Sequence, residues 1–168
     1  MEYQVCMDDI ETTEGQLLSS NTIYINQISC RTMTGNAGNW YSWPAATAGG
    51  YHTTDGFNEP NSICPSGWQL TVNTETEVKS WYYLIRNTYN IQDKNDSNLL
   101  PQPMSFVRSG YYSKGSLSYR ANYGNYWSST ANSSKGAHYL VFYSSSLSPQ
   151  YNYSDVKHNG YSVRCVSR

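Results

Sequence analysis

One stretch of the 168-residue chain repeats its apolar residues at helical spacing, and everything after it breaks into short runs. From Thr74 to Asn90, Val78, Trp81, Tyr82, Ile85 and Tyr89 fall on one helical face. Thr74 and Glu77 fit a capping box, in which hydroxyl and carboxylate satisfy each other's unpaired backbone donors. From Asp93 to Arg168, Pro101, Pro103, Gly110, Gly115, Gly124 and Gly136 punctuate a turn-rich, strand-like chain. One main early helix, then short antiparallel strands with much irregular loop, predicts an α+β fold. The length suits a single domain, 1–168, able to bury its own core.

Before the helix, Thr22-Ile23-Tyr24-Ile25-Asn26 alternates as a strand, with the segment around Val5 as its expected neighbour. Residues 36–61 turn to Gly, Ala, Thr and Asn around Trp40, Tyr41 and Trp43. Such a segment is irregular but pinned by aromatic side chains, since flexible linkers seldom carry paired tryptophans. Near the C-terminus, Leu140 and Phe142 alternate with Tyr139, Val141 and Tyr143. The even positions are expected to face the core and the odd ones to face outward.

Composition narrows the function classes. The formal net charge is -1 and only 14% of residues are charged, so there is no electrostatic footprint for nucleic acid or an anionic membrane. No apolar run approaches the roughly 18 residues that cross a bilayer, so direct membrane insertion is not expected. The opening Met1-Glu2-Tyr3-Gln4-Val5 lacks a signal-peptide profile. The protein therefore stays inside the cell, or the chain is a mature piece lacking its export or anchor segment. Seventeen tyrosines stand against three phenylalanines, and a buried phenol must find a partner, so many rings belong at the surface. Tyr, Ser, Gly and Asn are also what antibody paratopes favour. Cys6, Cys30, Cys64 and Cys165 form no Cys-x-x-Cys pair that would suggest a zinc or thioredoxin site. With few Lys and Glu and much Ser, Tyr and Asn, two disulfides in an oxidising compartment are expected, four buried free thiols being the alternative. Three pairings are open at this point.

Motifs for chemistry are weak. His52, His138 and His158 show no metal-ligand spacing, and no Gly-x-Ser-x-Gly elbow or phosphate loop occurs. No metal, cofactor or catalytic residue is expected. Glu59-Pro60-Asn61 matches a short calcium and sugar motif of many C-type lectins, but the Trp-Asn-Asp partner is missing and the match reads as coincidence.

Ser62-Ile63-Cys64-Pro65-Ser66-Gly67-Trp68-Gln69-Leu70 resembles the "CPxGWxLPT" segment of the Fibrobacter-succinogenes-type major paralogous domain, although Thr71 follows Leu70 without the family's proline. Trp40-Tyr41-Ser42-Trp43-Pro44-Ala45-Ala46-Thr47-Ala48-Gly49 is similar to its "WYxWxAATAG" segment. Tyr126-Trp127-Ser128-Ser129-Thr130 and Gly160-Tyr161-Ser162-Val163-Arg164-Cys165-Val166 are similar to "YWSST" and "GFSVRCV". These matches run in order over residues 36–166. The resemblance implies a C-type-lectin-like fold, of the branch shared with formylglycine-generating enzymes and with variable proteins of diversity-generating retroelements. It also implies that the first and last strands pair and that Cys64 bonds Cys165, leaving Cys6 for Cys30.

Such retroelements mutate adenines, and a mutated asparagine codon of the AAY type never yields Lys, Gln, Glu, Met or Trp. Tyr139, Val141, Tyr143, Ser146, Ser148, Tyr151, Asn152, Tyr153, Ser154, Asp155 and Asn159 all lie in the permitted set, with Tyr151 to Asp155 expected on a loop. Gln150 and Lys157 do not, and read as fixed scaffold or contacts. The resemblance thus implies a bacterial or phage surface domain that is not an enzyme and binds a protein or glycan ligand through about residues 105–165. Tyr112, Tyr119, Tyr123 and Asn125 widen that surface, and Trp68, Trp127, Leu140 and Phe142 are expected as scaffold. The alternatives are a fixed adhesin or structural pilus domain and, further off, an enzyme of the formylglycine-generating kind, which would need Cys64 or Cys165 unpaired.

Overall fold

A computed structural model describes residues 40–74, 77, 79–88, 106–143 and 150–167. The strand expected at residues 22–26, its partner near Val5, and Cys6 and Cys30 lie outside the described residues. Few short helices and several short antiparallel strands in small sheets, with much loop, make an α+β architecture.

The first helix, α1 (Trp43–Ala46), starts where Ser42 caps the Ala45 amide and Pro44 fixes the first turn. The pinning expected of this segment holds, since Trp40 and Trp43 are fully buried. Trp43 Nε1 donates to Ser128 O at 2.9 Å and Trp127 Nε1 to Tyr41 O at 2.7 Å, so each indole secures a backbone carbonyl far away in sequence. Truncating such a ring costs about 3–5 kcal/mol.

The next element, β1 (Trp68–Leu70), pairs antiparallel with the last strand, β7 (Cys165–Ser167). Beside that pair, Cys64 is bonded to Cys165 with the Cα atoms 5.8 Å apart. That pairing is the one implied by the resemblance.

The expected helix over residues 74–90 starts later and is shorter. Thr74 Oγ1 does accept from the Glu77 amide, but the turn stops there, because the Val72 carbonyl takes the Trp81 amide and Val72 bridges Ser80. Ser80 is the working cap, accepting from Tyr83 N at 3.0 Å, and opens α2 (Trp81–Tyr83), which widens into a π-helical turn over Leu84–Thr88. Trp81 and Ile85 still enter the core together, as their i, i+4 spacing requires. Val78 and Tyr89 lie outside the described residues.

Strands β2 (Tyr111–Ser113) and β3 (Ser116–Ser118) form a hairpin. Strands β4 (Tyr123–Ala131), β5 (Gly136–Tyr143) and β6 (Gln150–Val156) form an antiparallel sheet with β5 central. Both faces of this sheet are packed. Leu140, Phe142 and Tyr126 join Trp81, Ile85 and Phe106 on one side. Trp127, Ala131 and Ala137 join Trp43, Leu70 and Tyr161 on the other, with Tyr139 against them. At Gly124, a Cβ would stand 2.1 Å from Phe142 Cζ, so a hydrogen there lets the ring lie on the strand.

Two expectations change here. Even residues 140 and 142 do face a core, but the odd face is not free. Val141 is 1% exposed, and Tyr139 and Tyr143 are half-buried. The physical reason lies in distant sequence: Ser162 pairs along the outer edge of β4, its amide donating to Asn125 O and its carbonyl accepting from the Trp127 amide, and this sets the Tyr161 ring on Trp127 and against Tyr139. Residues 151–155, expected as loop, lie in strand β6.

Candidate functional site

Rings from separate elements meet in one aromatic band. Its inner end is in the core, where Tyr161 stacks on Trp127 with ring centroids 4.2 Å apart and 29° between planes. One arm leaves through Tyr139, 4.7 Å from Tyr161, and reaches Tyr153 on β6. The other leaves through Tyr111, 5.9 Å from Tyr161, to Tyr119 and Tyr123, which stack at 4.6 Å and 17°. Tyr123 meets Tyr143 edge-on across the β4–β5 pair. Exposure grows outward, from 2% at Tyr161 to 45% at Tyr153 and 52% at Tyr119. Tyr119 stands there because its backbone adopts φ 56°, unusual for a residue with a side chain, at the turn after β3.

The polar end of the band is Asp155. Its carboxylate accepts from the Tyr161 hydroxyl, from Asn159 Nδ2 at 2.9 Å and from the Val156 amide at 2.6 Å. Burial pushes the Tyr161 hydroxyl far above the ordinary phenol range, with the neighbouring Tyr139 and the bond to Asp155 adding to it. Tyr139 is raised likewise, by burial first and the Asp155 charge second. Tyr111 and Tyr143 are raised by burial and by their neighbours' charges. The phenols of the inner band are therefore neutral donors, suited to hydrogen bonding and contact rather than to proton abstraction.

The structure divides the sequence-predicted positions. Tyr119, Tyr123, Tyr143 and Tyr153 converge on the band, and Ser154 is exposed beside it in sequence. Tyr139 belongs to the band but is half-buried between Trp127, Tyr161 and Tyr153. Three positions are not surface. Val141 is enclosed in the sheet, Asn125 is 2% exposed under the Ser162 amide, and Asn159 is 6% exposed and tied to Asp155. Asp155 is half-buried and spends its carboxylate internally, so it orders the band from within. Tyr112 is half-buried and exchanges backbone hydrogen bonds with Gly160. Ser146 and Ser148 lie outside the described residues, and Tyr151 and Asn152 are placed on β6 by backbone alone.

Sequence reasoning missed Tyr111 and Tyr161 as links of the band. Tyr161 was visible inside the "GFSVRCV"-like segment, and alternation in Tyr111-Tyr112-Ser113 separates Tyr111 from Tyr112, but nothing local says which ring faces the sheet.

Lys157 is scaffold, with its ammonium donating to His52 O and lying 4.3 Å over the Trp43 ring. Glu59 of the lectin-like triplet is likewise committed, accepting from the His52 amide and pairing with His52 Nδ1, each at 3.0 Å. Among the described residues no group of His, Cys, Asp or Glu side chains gathers as a metal site, and no helix is long and apolar enough to cross a membrane. Compared with known proteins, the chain matches no family model, no curated protein and no solved structure.

Proposed function

We propose that this chain is a C-type-lectin-like ligand-binding domain of the Fibrobacter-succinogenes-type major paralogous and retroelement variable-protein kind, displayed on a bacterial or phage surface. The observation that carries the reading is the aromatic band: rings anchored in the core at Trp127 and Tyr161 emerge as exposed Tyr119 and Tyr153. Rigid, half-anchored phenols offer large amphipathic area with little rotamer entropy left to lose. Recognition is non-covalent, by ring contact and hydroxyl hydrogen bonds, with a protein or glycan as ligand. The disulfide and the paratope-like composition fit an oxidising, extracellular setting.

The diversified surface is Tyr119, Tyr123, Tyr143, Tyr153 and Ser154, and Tyr151 and Asn152 precede the last two in strand β6. One observation favours the second reading, a fixed adhesin or pilus domain. Tyr111, Tyr119, Tyr123 and Tyr143 pack on one another, so changing one ring disturbs its neighbours. The gene separates the two. Adenine-derived asparagine codons at the exposed positions, with a near-copy of the segment beside a reverse transcriptase, are expected for diversification; ordinary codons and no copy leave the fixed domain. For binding itself, Tyr119→Ala with Tyr153→Ala is expected to abolish adhesion to cells that the parent protein labels while leaving the domain folded, at a stability cost of about 0.5–1.5 kcal/mol for each lost ring contact. Unchanged adhesion would remove the band as the contact surface.

A further inference from the structure

A cleft of ≈490 Å³ lies apart from the band, between the segment after α1 and the ends of β5 and β6. Its lining includes Gly50, Tyr51, Lys135, Lys157 and His158 and no acidic residue. A volume of this order suits a small ligand.

Tyr51 is 80% exposed, more than Tyr119 or Tyr153, yet it is braced. Its ring stacks on His52 at 5.4 Å and 16°, and His52 in turn stacks on Phe57 at 3.4 Å and 12°. His52 is fixed by Glu59 and by the Lys157 ammonium on its carbonyl. Behind Tyr51, Gly50 is closely packed: a Cβ there would meet Thr47 Oγ1 at 2.4 Å and the Glu59 side chain at 2.8 Å. The chain therefore holds a flat, water-facing ring at the edge of a cleft.

The polar groups divide into spent and available, and of the available ones Lys135 carries the charge while His158 offers a ring nitrogen. Lys157 is buried, bound to His52 O and over Trp43, with Glu59 as its opposing charge; desolvation lowers its pKa while Glu59 pulls the other way. Lys135 and His158 are exposed and have no carboxylate partner among the described residues. The cleft thus offers one aromatic platform and a modest positive charge. A nucleotide or other polyanion needs more cation than this. A pyranose bearing one carboxylate matches it, its C–H face on the Tyr51 ring and its carboxylate toward Lys135 and His158.

We propose that this cleft binds an acidic saccharide, a uronic acid unit, independently of the tyrosine band. The test is titration of the isotope-labelled protein with digalacturonate, with neutral digalactose and with acetate, read by amide chemical shifts. Saturable shifts at Gly50, Tyr51, Lys135 and His158 are expected for digalacturonate. Lys135→Ala is expected to weaken binding about fivefold, the worth of a partly exposed ion pair, with the loss shrinking as salt rises. Tyr51→Ala is expected to weaken it about tenfold, the upper worth of a ring contact. Both side chains are water-facing, and an unchanged circular dichroism spectrum checks that the variants fold. Tyr119→Ala with Tyr153→Ala is expected to leave this affinity unchanged, so failure here and failure of the band are read separately. No saturable shift, equal affinity for digalactose, or the same shifts with acetate alone would each overturn the proposal.

Discussion

Replacing Tyr126 with Phe removes one oxygen from a core and makes its worth measurable. That hydroxyl donates to Val107 O and the Val107 amide donates to it, both at 2.9 Å, in a residue 4% exposed. Phe keeps the ring contacts to Phe106, Trp81 and Phe142 but leaves both backbone groups of Val107 without a partner. An orphaned buried group costs about 1–3 kcal/mol; Val107 is half-buried and water reaches part of it, so the pair together costs about 2–3 kcal/mol. At about 2–4 °C per kcal/mol for a chain of this size, Tm falls by roughly 5–10 °C.

A second arm of the same experiment uses alkali. Burial pushes the Tyr126 hydroxyl up to about 12 from 10.0, although the Val107 bond opposes it. With the folded value raised, this group's contribution is full below the unfolded value of 10.0 and is lost as pH climbs towards about 12. The loss runs at about 1.4 kcal/mol per pH unit, so the stability gap between parent and Tyr126→Phe narrows by about 1 kcal/mol from pH ~10 to ~11. Urea unfolding at neutral pH and across that alkaline window measures both arms. A neutral-pH difference below about 0.5 kcal/mol, or a gap that stays constant in alkali, would refute the reasoning.

Other perturbations follow from the frame. Gly124→Ala places a methyl group 2.1 Å from Phe142 Cζ, and overpacking of this kind is expected to cost about 1–3 kcal/mol in urea unfolding, with Phe142→Leu in the same chain recovering part of it. Cys64→Ala with Cys165→Ala opens a loop of sequence separation 101, which the chain-entropy relation puts at about 4–5 kcal/mol; a shift of the urea midpoint worth under about 1 kcal/mol would mean that the closed loop contributes little.

Much of the frame could be read from residues alone, because its signals are local. Trp40 and Trp43 inside a Gly- and Ala-rich stretch announced pinning, and both rings are fully buried. Leu140 and Phe142 announced the inward face of β5. What covers the opposite face was not legible. Alternation says that two faces differ in chemistry, and a row of Tyr and Val is ambiguous between a wet surface and a second, tyrosine-lined core. Ser162 decides it by pairing along the edge of β4 and so placing the Tyr161 ring on Trp127 and Tyr139, a long-range pairing that leaves no mark at positions 125, 139 or 141. The helix start failed for a related reason. Thr74 and Ser80 are both competent caps, and the backbone bridge from Val72 to Ser80 selects the later one. The site was half legible, since Tyr119 and Tyr153 do face water while Asn125 and Asn159 are internal hydrogen-bonding partners.

The bond between Cys64 and Cys165 turns the polypeptide between them into a covalent ring containing β2 to β6, the aromatic band and most of the chain's tyrosines. A protease that cuts one peptide bond anywhere in that ring linearises it without dividing the molecule. The nicked protein keeps its mass apart from one added water, and it separates into fragments only when a reductant opens the bridge. Cleavage of the ring and loss of its pieces thereby become two separate events.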